Sequence, residues 1–96
     1  MTFSRAELGL ILAVYARRVA AGEWRDYAID HIAGLAVFSV FQHTREQPCY
    51  SIVKFRQPGD RRSFEYAVFQ RQALLRRSAD LENALRVLKL KLVVKD

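Results

Sequence analysis

The sequence predicts an α+β domain: an antiparallel four- to five-stranded meander flanked by an N-terminal and a C-terminal helix, in the order α-β-β-β-β-(β)-α. Three observations predict it. Apolar residues recur at helical spacing over roughly the first twenty positions. From Tyr27 the period drops to two, through segments separated by turn residues, and helical spacing returns after Ser78. Ninety-six residues, 51% of them hydrophobic and including six Phe, four Tyr and one Trp, are expected to form one domain over 1–96 with a packed core.

The first helix begins at "SRAE" (Ser4 to Glu7), a capping box in which the serine oxygen accepts the Glu7 amide and the glutamate reaches back. Leu8, Ile11, Leu12, Tyr15 and Val19 then form one stripe, with Arg17 and Arg18 off it. Gly22 suits the position just past the helix end, so the helix is expected over Arg5 to Ala21.

"YAIDHI" and "LAVFSVFQH" read as two strands joined at Ala33 and Gly34. "CYSIVKF" follows the breaker "REQP", and "SFEYAVF" follows "QPGDRR", where Pro58 and Gly59 suit a type II turn. "ALLRR" is a short fifth strand in this reading, although Arg71 and Gln72 are poor turn residues. Ser78 or Asp80 caps the second helix, which carries Leu81, Ala84, Leu85 and Leu88. Residues 89–96 alternate, and both helix and strand remain open for them.

The block "GEWRDYAID", followed by "AVFSVF" and "YSIVKF", resembles a family of small bacterial proteins, the domain of unknown function 2794 (DUF2794). The resemblance runs from the first helix to "LRVL" (Leu85 to Leu88). It implies an intracellular bacterial protein and carries over no activity, cofactor or site residue.

The residues themselves argue against catalysis. Cys49 with His43 is the only sequence-local nucleophile and base, and no helix N-terminus is expected beside Cys49 to activate the thiol. Asp30 and His31 are adjacent strand residues that point to opposite faces, so they do not chelate a metal together. No phosphate loop, zinc spacing or dinucleotide fingerprint occurs, and the sequence implies no catalytic residue, cofactor, metal or small-molecule substrate. A single cysteine fits a reducing cytoplasm. No apolar run reaches about 18 residues, and no secretory signal or membrane association is expected.

The net charge of +6 lies wholly in the second half: residues 49–96 hold eleven basic and five acidic residues, while residues 1–48 hold five of each. Lys54, Arg56, Arg61, Arg62, Arg71, Arg76 and Arg77 are therefore the candidate polyanion patch of an alternative, nucleic-acid-binding reading. The element order also resembles the double-stranded RNA-binding domain. The extra strand and the acidic opening "SADLEN" of the last helix argue against that match.

The preferred reading comes from the first hairpin. With Ala33 and Gly34 at its turn, Tyr27 faces Val40 and Ile29 faces Phe38 on one apolar face, the seat of the first helix. Trp24, Val37, Phe41, Val53 and Phe55 then fall on the opposite face, too apolar to stand open to water. Either the C-terminal helix covers it, or it meets another protein or a second copy of the chain. Glu23 and Asp26 are expected to accept backbone amides at the helix-to-strand corner, with Arg25 pairing to either. The expectation is a small non-enzymatic interaction module, acting through protein contacts and self-associating.

Overall fold

The computed structural model describes residues 1–43 and 47–94, without the side chains of Arg61 and residues 90–94. Helix α1 spans Arg5–Ala20, and its capping box is formed as expected, with Ser4 Oγ accepting the Glu7 amide and Glu7 accepting the Ser4 amide. The helix closes in a Schellman motif. Gly22, at φ 77°, donates its amide to the Val19 carbonyl, and the Glu23 amide reaches the Arg18 carbonyl. Only a residue free to adopt positive φ makes that turn without strain, which is what places glycine at position 22.

Five strands follow in one antiparallel sheet of order β1-β2-β3-β4-β5: β1 Asp26–Ile32, β2 Leu35–Phe41, β3 Tyr50–Gln57, β4 Asp60–Gln70 and β5 Ala73–Ser78. The first hairpin has the expected register, with Tyr27 opposite Val40, Ile29 opposite Phe38 and Asp30 opposite Val37. Ala33 and Gly34 take φ of 50° and 79°, the paired positive values of a type I′ turn. Gly59 takes φ 83° after Pro58, as the third position of a type II turn requires. The fifth strand forms in spite of its turn residues. Arg71 is held at φ 55° while its amide donates to the Cys49 carbonyl at 3.0 Å, so a tertiary hydrogen bond offsets the local strain.

Helix α2 runs Leu81–Val94, and the Asp80 carbonyl accepts the Ala84 amide at its start. Residues 89–94 are thus helical, whereas Lys95 and Asp96 lie outside the described residues, as do Arg45 and Glu46 of the expected breaker.

Both helices pack on the same side of the sheet. One core cluster joins Ile11 and Val14 of α1, Leu81, Ala84, Leu85 and Leu88 of α2, and Phe38, Val40, Ile52 and Val68 of the strands. The expected choice between the C-terminal helix and another occupant for the second face is thereby narrowed: α2 joins α1 on the first face. A bulge at Val68/Phe69 lets β5 turn both Leu75 and Arg76 toward α2, where Leu75 packs on the core and Arg76 donates to Asn83.

The buried stripe of α1 differs from the expected one. Ile11, Val14 and Arg18 are buried, whereas Val19 is 41% exposed. Arg18 goes inside because its guanidinium finds partners there, lying over Trp24 at 4.9 Å and over Tyr50 at 5.6 Å.

Candidate interaction surface

The corner that follows α1 is architectural. Trp24 is 2% exposed and packs with Tyr15, Tyr50 and Arg18 on the helix side. This corrects its expected place on the second face. Strand pairing begins at Asp26, opposite Phe41, so the alternation that sorts residues 26–32 does not extend back to position 24. Arg18 donates to Glu23 at 2.9 Å and to the Leu88 carbonyl at 3.0 Å. Glu23 thus pairs with Arg18, and Asp26 accepts the Tyr27 amide at 2.8 Å.

A second polar cluster anchors the start of α1. Lys54 is 6% exposed and donates to Glu7 at 2.8 Å and to the Thr2 carbonyl at 2.9 Å, while the Tyr66 hydroxyl donates to the same Glu7 carboxylate. Burial pushes the Glu7 carboxyl up, but the bonds from Lys54, Tyr66 and the Ser4 amide outweigh it and hold the group below its usual 4.5. Burial, reinforced by Glu7, drives the Tyr66 phenol well above its usual value. A depressed carboxylate contributes stability above its unfolded value, and that stability is lost as pH falls through the folded value. Glu7→Gln is accordingly expected to cost about 1–2 kcal/mol at neutral pH. The gap from the wild type should shrink below pH 4.5 in urea melts; a gap independent of pH would show that the charge of Glu7 contributes nothing.

The described candidate phosphate-binding residues do not converge. Lys54 is interior, on the row that carries Ala36 and Tyr66, because it shares strand parity with Tyr50 and Ile52. Arg56 and Arg62 sit near the β3–β4 turn, and Arg71 sits at the β4–β5 turn, the opposite end of β4. Arg76 and Arg77 point to opposite faces of β5, and Arg77 is paired with Glu65 at 2.6 Å. The side chain of Arg61 lies outside the described residues. Cys49 is buried, donates its thiol to the Val40 carbonyl at 3.3 Å, and is pushed up by burial, away from thiolate reactivity. A groove of about 90 Å³ between α1 and α2, lined by Leu10, Val14, Arg17, Glu82, Leu85 and Lys89, is smaller than the sites that hold organic ligands.

What remains is the second face of the sheet, on which no described element packs. The structure brings Val37, Phe41, Val53 and Phe55 onto it as expected. It adds Ala67, Phe69 and Leu74, which the sequence reading missed. Parity with Val53 and Ser51 across the β3–β4 pairing is the signal that finds Ala67 and Phe69, whereas the bulge hides Leu74 from simple alternation. Phe41 and Ala67 are buried yet stand apart from the core cluster beneath the helices. At one margin Arg77 lies 5.0 Å over the Phe55 ring while holding Glu65, so cation and aromatic fix each other. Ile32, at 58% exposure, extends the apolar surface toward the first turn.

No described helix is long and apolar enough to cross a membrane. Comparison with curated proteins and with solved structures returns no significant match. The family model described as protein of unknown function (DUF2794) matches residues 1–85, and the chain belongs to that family.

Proposed function

We propose that the chain is a non-enzymatic module of the bacterial cytoplasm that works by protein contact through the second face of its sheet. The observation that supports this reading is the one-sided packing. Both helices cover the Phe38 face, while Val37, Val53, Phe55 and Phe69 form a contiguous apolar surface with no described element over it. Contiguous patches of this kind on water-facing sheets mark contact sites. The buried, unreactive Cys49 fits a reducing compartment. The competing nucleic-acid reading is less favoured, because Lys54, Arg56, Arg62, Arg71, Arg76 and Arg77 are divided among the core, two ends and two faces of the sheet.

Photo-cross-linking in living cells tests the reading. A photoreactive phenylalanine analogue placed at Val53, the middle of the surface, is expected to give a discrete protein adduct. The same analogue at Arg62, beyond the apolar surface, should give none. Equal labelling at the two positions, or none at either, would overturn the proposal.

A further inference from the structure

We infer that the occupant of the second face is another copy of this chain, docked about a two-fold axis that runs along the strands, above β3 and midway between the two sheets. The inference rests on the contact reading above and specifies its partner. One row of the face crosses all five strands in the order Asp30, Val37, Val53, Ala67, Arg77. It is acidic at the β1 end, basic at the β5 end and apolar between, with Val53 at its midpoint. A two-fold axis parallel to the strands lays β1 of one copy over β5 of the other. Asp30 then meets Arg77 of the second copy, twice by symmetry, and Val53 meets itself.

The neighbouring row runs Ala28, Ser39, Ser51, Phe69, Leu74. The same axis sets Ala28 against Leu74 and Ser39 against Phe69, so small residues receive large ones, as interdigitating layers require. An axis across the strands would instead lay β1 on β1; placed on the first row it brings Asp30 to Asp30, and placed on the second it brings Phe69 to Phe69. Charge and size therefore both select the first arrangement. It is also the geometry of aligned sheet packing, in which the strands of two layers cross at about 30°.

Strands about 4.8 Å apart and about seven residues long give the face roughly 500 Å² per copy, so the pair buries about 1,000 Å². That meets the lower bound for a specific interface, and the dimer is accordingly concentration-dependent.

The experiment is a charge swap read by analytical ultracentrifugation. Asp30→Arg and Arg77→Asp should each raise the dimer dissociation constant about tenfold or more, since each places two like-charge contacts across the axis. Mixed in equal amounts, the two variants should associate again, because the introduced arginine of one chain faces the introduced aspartate of the other. Thermal melts of each variant show that the fold is kept. Val53→Glu, which sets two carboxylates together on the axis, should abolish association. A mixture that fails to associate while the wild type dimerises overturns the strand-parallel axis. A wild type that stays monomeric at its solubility limit overturns self-association. In that case a Val53 adduct at a mass other than twice the chain still supports the contact reading, and no adduct removes both.

Discussion

Trp24→Ala is expected to cost about 3–5 kcal/mol, the usual loss on deleting a large aromatic from a packed interior. The indole is 2% exposed, tilts against Tyr15 at 5.9 Å and Tyr50 at 5.6 Å, and carries the Arg18 guanidinium on its ring. It thereby ties α1 and the corner to the start of β3. For a domain of this size, about 1 kcal/mol moves the melting temperature by roughly 4–8 °C, so the variant should melt some tens of degrees early or fail to fold. Val53→Ala, on the second face, is expected to stay within about 1 kcal/mol, because that side chain is only half-buried in the monomer. Urea and thermal melts of the pair check both statements. A Trp24→Ala protein as stable as the wild type would mean that the indole stands outside the core.

Arg18→Ala is expected to cost about 3 kcal/mol, toward the lower end of the range for breaking a buried ion pair. Its guanidinium is paired with Glu23, bonded to the Leu88 carbonyl and set against the Trp24 and Tyr50 rings, and the residue is 4% exposed. Two terms limit the loss. The Glu23 side chain keeps 16% exposure, so its charge is partly hydrated, and Arg18 Nε has no acceptor among the described residues. Arg18→Met, which retains the apolar stem against Trp24, should therefore recover most of the stability. Equal losses for the two variants would show that the charge matters and the packing does not.

Much of the fold was legible in the sequence because short turns and strict alternation admit one register. Two residues between β1 and β2 determine every cross-strand pair from Tyr27 to Val40, and parity then carries the faces into β3 and β4. The same rule already placed Lys54 with Tyr50 and Ile52 on the helix side. Its charge led to its place in the candidate polyanion patch, although a long amine on a core row can reach a carboxylate at a helix start. Arg18 misled in a related way: helical spacing ranks arginine as outward, yet here the Schellman turn brings residues 18 and 23 together and supplies the counter-ion. Trp24 was misplaced by extending alternation beyond the paired strand. The side taken by α2 was illegible for a different reason. A chain leaving an edge strand can cross to either face, and the bulge that turns Leu75 and Arg76 toward α2 has no sequence signature.

The meander order has a consequence for how the chain reaches this state. Every strand pairs with its immediate neighbour in sequence, so the sheet can zip outward from its short turns with little loop-closure entropy. The helices are tied on by longer-range contacts, the longest being the lid of the core: Arg18 and Leu88, 70 positions apart, meet only when both helices are docked. During synthesis the hairpins can form while α2 is still unmade, leaving much of the Phe38 face uncovered until the last helix arrives. The apolar surface exposed in the nascent chain is therefore two-sided, and the late docking of α2 is the event that covers most of one side.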